Sequence, residues 1–377
     1  MTLSDRDGGG SPCDLGRLRD CLCRHGDELA EAERAAKEDI WRDPNWLWFE
    51  CWTVTAASDG EVAATWAAAE AELAAAAAVA PVNDNDYESP EAADAERAAR
   101  AAARDERVTV CRERLQRRRA AATLAMAANV ATHAATAPNL RELQVHDAPL
   151  TALPLCRLLV GFDPQHHHHH QHHPRLALPA AAAGPQLTTL SLKLCGLTSA
   201  DLWPLLDWLS ASGRGTLTTL DLSCNQLDAA ACPLLQAVLP RTRVRSLLLR
   251  SNPVCTEDDN VRLMALFVCS RDLHSLDLGF CGLGDGAIVK MCTVLQSPAC
   301  HVADLNVDGA NVTTQRIAGL LLDTVAALPR MRSLSTRFVA LCAHAVWQDR
   351  LAAAIGRHAT ATGAAPPTRL QRHHSVV

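Results

Sequence analysis

Long apolar runs are missing from this 377-residue chain. The longest, LAAAAAVA from Leu73, falls far short of the roughly 20 residues a membrane-spanning helix needs. The N-terminus MTLSDRDGGGSP has neither the basic start nor the apolar stretch of an export signal. A soluble, intracellular protein with no membrane partner is therefore expected, and its 15 cysteines are expected as reduced thiols. Catalytic signatures are missing as well: there is no GxSxG elbow, no GxxxxGK(S/T) loop and no HExxH. No nucleophile, base and orienting residue group together by spacing. These absences point away from an enzyme, a cofactor, a metal centre or a small-molecule substrate.

A dominant positive charge is also lacking. The net charge of −6 is divided unevenly, with 16 Lys+Arg against 25 Asp+Glu in residues 1–139 and a net +3 in the remainder. An acidic front and a nearly neutral back give no electrostatic reason for nucleic acid to be the partner. The one dense basic patch is Arg112, Arg114, Arg117, Arg118 and Arg119. It spreads around a helix and carries no interleaved aromatics, which suits a solvated face or pairing with the acidic front.

What the chain does have is self-similarity. LTTLDLSCNQL from Leu217 places apolar residues at positions 1, 4, 6 and 11 with an Asn at 9, and the same spacing returns, with Asn, Cys or Ala among the residues at 9, in LRELQVHDAPL from Leu140, LTTLSLKLCGL from Leu187, VRSLLLRSNPV from Val244, LHSLDLGFCGL from Leu273, VADLNVDGANV from Val302 and, more weakly, MRSLSTRFVAL from Met331. Successive starts lie 47, 30, 27, 29, 29 and 29 residues apart. Positions 4 and 6 share one side of a short strand, because side chains alternate along it. Each unit thus has one apolar face that it cannot bury alone, and stacking makes a continuous core. Position 9 must turn inward where the strand ends. Asn225 and Asn252 suit that task by bonding backbone, while Cys195 and Cys281 are expected simply to pack.

After position 11 each unit offers a helix start and then helical apolar spacing: Thr198 before DLWPLLDWL, Asp228 before AAACPLLQAVL, Thr256 before EDDNVRLMALF, Asp285 before GAIVKMCTVL and Thr313 before TQRIAGLLL. Gly279, Gly282, Gly284 and Gly286 imitate a dinucleotide-binding turn, but the same slot in neighbouring units is a turn the repeat builds anyway. The pattern resembles the leucine-rich repeat family, LxxLxLxx(N/C)xL, and the unit of about 29 residues is similar to the ribonuclease-inhibitor type. That resemblance implies an α/β solenoid over 140–356, strands inside and helices outside, with about seven repeats. The 47-residue step implies an insertion over 161–185 that holds His166–His170, His172 and His173, read as an expanded loop or a metal-binding tract.

Residues 1–139 read as an acidic, alanine-rich helical cap region, and 357–377 as a flexible tail. An acidic helix over 14–40 leads into a cluster of Trp41, Trp46, Trp48, Phe49 and Trp52, either the core of the cap or, through Trp46, Trp48 and Trp52, an anchor for a partner. Two helices at about 60–80 and 90–105 and a third carrying the arginines are expected next. The tryptophan segment is similar to the end of an F-box, which implies a ubiquitin-ligase adaptor. Repeat length is also similar to that of a GTPase-activating branch of the family, whose acidic tail is replaced here by GAAPPTRLQRHHSVV.

Outward positions 5, 7 and 8 form lanes across the strands that mix both charges with Phe280 and Phe338. Mixed lanes suit a protein partner held by a few anchors. The expected contact residues are Lys193, Asp221, Arg250, Asp277, Phe280, Asp308 and Arg337. The expected function is a protein-interaction scaffold in a larger assembly, cytoskeletal or flagellar by fold analogy, with an enzyme adaptor or regulator as the alternative.

Overall fold

The computed structural model describes residues 51–55, 90–134, 139–162, 186–211, 215–255 and 260–337, with scattered single positions besides. Trp46, Trp48, the 14–40 segment, the histidine tract, Phe338 and the 357–377 tail lie outside the described residues.

Strands and helices alternate: β1 (Cys51–Thr55), α1 (Pro90–Ala134), β2 (Glu142–His146), α2 (Ala152–Val160), β3 (Thr189–Lys193), α3 (Trp203–Ala211), β4 (Thr219–Asp221), α4 (Ala231–Val238), β5 (Ser246–Leu248), α5 (Asn260–Leu266), β6 (Ser275–Asp277), α6 (Asp285–Leu295), β7 (Asp304–Asn306), α7 (Gln315–Ala327) and β8 (Ser333–Ser335). All eight strands pair in chain order and in parallel. The register sets Leu143 beside Leu190, Leu190 beside Leu220, and so on through Leu247, Leu276, Leu305 and Leu334. These position-4 leucines form one buried column, none more than 6 % exposed. Position 6 forms a second, with Val145, Leu192, Leu222, Leu249, Leu278 and Val307 all at 0 %. Burying each such leucine contributes about 2–3 kcal/mol. Neighbouring strands sit about 4.8 Å apart, whereas packed helices need about 8–10 Å. An array with helices on one side must therefore curve, and its strand face is the concave one.

Two features depart from the expected helical cap. Residues 51–55 are a strand, not a helix, and pair with β2 so that Trp52 takes the register position of Leu143 and Val54 that of Val145. CWTVT is a further copy of the strand motif with Trp in the leucine slot, separated from its neighbour in the sheet by a long segment. The second departure is α1, a single 45-residue helix where two shorter ones were expected. Its last turns bury Ala127, Ala128, Val130, Ala131 and Ala134, while Arg112 and Arg117 stay exposed, the latter near Glu113 at 3.6 Å. Gly161, at the end of α2, allows the approach: a Cβ there would stand 2.4 Å from the Ala131 Cα. The end of α1 thus packs against α2 and covers the first repeat helix.

Helix starts follow the sequence with small shifts. Thr198 donates through its amide to Asp201 at 3.1 Å, and Asp228 accepts from the Ala230 amide at 2.9 Å. For α7 the cap is Thr314, one residue after the expected Thr313, whose amide instead donates to Asp285 of the preceding unit at 2.9 Å.

Candidate protein-binding face

Each strand ends in the same device. Position 8 adopts a left-handed backbone in six successive units: Asp147, Leu194, Cys224, Ser251 and Phe280 have φ between +52° and +58°, and Gly309 has +67°. The amides of Asp147, Leu194, Cys224, Ser251, Phe280 and Gly309 donate to the position-7 carbonyls of the next unit at 2.7–3.2 Å, which continues the pairing between units beyond the strand ends. The turn then sends position 9 inward.

There Asn225 accepts from the amides of Cys195 at 3.0 Å and Leu197 at 3.1 Å, and donates to the carbonyls of Leu192 at 2.7 Å and Leu222 at 2.8 Å. Asn252 repeats this, accepting from Leu227 and donating to Leu222 and Leu249. The cysteines do more than pack. The Cys195 thiol donates to the Val145 carbonyl at 3.2 Å and that of Cys281 to Leu249 at 3.1 Å, the acceptor position that the Asn side chains serve. Burial pushes both thiols from the ordinary 9.0 up to about 12. Because the folded state holds the proton more tightly, the stabilising effect is complete below pH 9 and is lost as pH rises toward 12. Native protein treated with iodoacetamide at pH 8 is expected to be modified at the half-exposed Cys111 and Cys224 long before Cys195 or Cys281, as read by peptide mass spectrometry. Equal rates would contradict this burial.

The outward lanes are less free than the sequence implies. At position 5, Asp221, Asp277 and Asn306 each accept from the amide two residues on, at 2.8–2.9 Å, and so close the strand end. Their second groups bond sideways, with the Ser191 hydroxyl donating to Asp221 at 3.2 Å and the Asn306 amide to Asp277 at 3.1 Å. Burial raises the Asp277 pKa against the opposing pull of the Gly279 amide and Arg250. His146, Ser191 and Asp221 lie in a row, but Ser191 stands between the other two, 3.1 Å from His146 Nε2. That is a hydrogen-bonded ladder, not the nucleophile, base and carboxylate order of a catalytic triad.

Asp308 departs furthest from expectation. It is 3 % exposed, and its carboxylate accepts from the Ser335 hydroxyl at 2.6 Å, the Arg337 amide at 2.7 Å and Arg250 Nη1 at 3.2 Å. Arg250 reaches two units along to make that bond, and Gly279 in the intervening unit clears its path: a Cβ at Gly279 would lie 2.8 Å from Arg250 Nη1. On its way the guanidinium rests 4.7 Å from the centroid of the Phe280 ring. The ring itself lies against Gly309, where a Cβ would meet it at 2.5 Å. Of the expected contact residues, Asp221, Asp277 and Asp308 are held by bonds within the fold, Phe280 and Arg337 are exposed, and Lys193 and Arg250 are half-buried. Leu194, absent from the expected set, is 51 % exposed and stands in the same left-handed position as Phe280 at 42 %. Holding a bulky side chain in that conformation costs roughly 1–2 kcal/mol relative to glycine.

Parallel strands in chain order, inward asparagines and outer helices define a solenoid of stacked strand–helix units. A family model described as Leucine Rich repeat matches residues 216–231 and 269–292. The chain is similar to NACHT, LRR and PYD domains-containing protein 14 of Mus musculus, 34 % identical over 139 residues, which is 36 % of this chain and 13 % of that protein. It is likewise similar to NACHT, LRR and PYD domains-containing protein 12 of Homo sapiens, 34 % identical over 140 residues with the same shares, and to ribonuclease inhibitor of Sus scrofa, 31 % identical over 170 residues, 45 % of this chain and 33 % of that protein. The matched part thus spans a third or less of each of these relatives. The family model, these relatives and the parallel strand–helix ladder support a leucine-rich repeat solenoid similar to the ribonuclease-inhibitor type. Among the described residues no helix is long and apolar enough to cross a membrane, and no cluster of His, Cys, Asp or Glu could hold a metal ion.

Proposed function

We propose that this protein is a non-enzymatic scaffold that holds a protein partner on the concave strand face, without cofactor, metal, nucleic acid or small-molecule substrate. One observation carries the reading: Asp221, Asp277 and Asp308 of that face are bonded to neighbouring amides and side chains, with Asp308 buried, while the side chains of Phe280, Leu194 and Arg337 are exposed. Such a surface offers anchors for contact rather than groups poised for proton transfer. A relative named for inhibiting a ribonuclease supports a repeat array that works by binding protein. Residence in the cytoplasm within a cytoskeletal or flagellar assembly is proposed on fold-level analogy alone.

The test places a photo-crosslinking amino acid either at Leu248, half-buried in the position-5 lane of β5, or at Val289, exposed on the outer helix α6. In the native cell, discrete protein adducts are expected from Leu248 and not from Val289. Adducts from Val289 alone, or from neither position, contradict a concave binding face.

A further inference from the structure

Resting on that reading, we infer that Phe280 is the main anchor of the concave face and that it receives a partner segment in which carboxylates alternate with aromatic side chains. Position 8 demands a left-handed backbone in every described unit, and glycine, as at Gly309, meets that demand without strain. Phenylalanine there is strained, yet it is held with 42 % of its surface in solvent. Burial therefore does not explain its presence. The surroundings are built around it. Gly309 provides the seat for the ring, Gly279 opens the way for Arg250, and the buried Asp308 fixes the guanidinium beside the ring.

Charge selects the occupant. Of the two carboxylates of the cluster, Asp308 is 3 % exposed and ion-paired with Arg250, and the half-buried Asp277 accepts from the Gly279 amide and the Asn306 side chain. The cations are outward: Arg250 is one-third exposed, and Arg337, whose amide bonds Asp308, is exposed. An approaching segment thus meets the exposed part of an aromatic ring and, at the same end of the face, the exposed Arg337, Arg250 being already paired with Asp308. A carboxylate pairs with Arg337 and an aromatic neighbour stacks on the exposed part of the ring. A basic segment is repelled.

The probe is a fluorescein-labelled random copolymer of glutamate and tyrosine, compared by anisotropy with polyglutamate and with a lysine–tyrosine copolymer, using the full chain. The glutamate–tyrosine copolymer is expected to bind at least tenfold more tightly than either control. Phe280→Gly is expected to weaken it at least tenfold while the urea midpoint stays level or rises, because glycine relieves the left-handed strain. Arg337→Glu is expected to weaken it at least as much, with no change in midpoint. The inference is overturned if the copolymer does not bind, if polyglutamate or the basic copolymer binds as well, if Phe280→Gly leaves affinity unchanged, or if that variant loses stability, which would make the ring structural. Adducts at Leu248 without copolymer binding would leave the concave-face reading standing and remove this inference alone.

Discussion

Asn225→Ala is expected to lower the free energy of unfolding by about 2–4 kcal/mol, read as a fall in the urea midpoint with little change in slope. The side chain joins two units: it satisfies the amides of Cys195 and Leu197 in one and the carbonyls of Leu192 and Leu222 in both. Alanine leaves those groups orphaned at a site where Asn225 is 6 % exposed and water has little access. Cys281→Ala removes weak thiol donations to the Leu249 and Gly279 carbonyls and is expected to cost about 1 kcal/mol. The contrast between the two variants separates bonding from packing. Equal losses would mean that position 9 is only a volume to be filled.

The second large effect falls on the leucine column. Leu276→Ala, at 1 % exposure between Leu247 and Leu305, is expected to cost about 2–5 kcal/mol, since the cavity is enclosed by both neighbours. Leu334→Ala, in the last described strand and already 6 % exposed, should cost visibly less. Stability in a stacked array is close to a sum of unit and interface terms, so an interior unit that loses core weakens two interfaces. Denaturant midpoints of the two variants measure the gradient.

Most of the ladder was legible because the strand period and the repeat step reinforce each other: LxxLxL at 27–30-residue intervals admits few other folds. Strand β1 escaped because Trp52 and Val54 fill the leucine positions and 91 residues separate the paired Cys51 and Glu142. Only the pairing register exposes CWTVT as another copy. The long α1 was divided by propensity arguments that treat each alanine-rich stretch alone, while its ending is decided by contact with α2 at Gly161. The binding face was legible in location but not in detail. Alternation tells that Asp277 and Asp308 point away from the leucines, yet it cannot tell that neighbouring amides, Asn306 and Arg250 consume them. The signal available was the pair Gly279 and Gly309, two missing side chains in outward lanes, which mark where Arg250 and Phe280 cross.

The central claim is that the units stack in parallel and in one register, since only then do positions 5, 7 and 8 make a shared face. Paired cysteines test it directly. Thr219 and Ser246 are register partners on adjacent strands, so Thr219→Cys with Ser246→Cys places two thiols about 5 Å apart at Cα, within disulfide range. Thr219→Cys with Leu248→Cys stands two residues off register, beyond about 7 Å. Mild oxidation followed by peptide mass spectrometry is expected to give the first link in high yield and not the second; the second link forming as readily as the first, or neither forming, would contradict the stacked ladder.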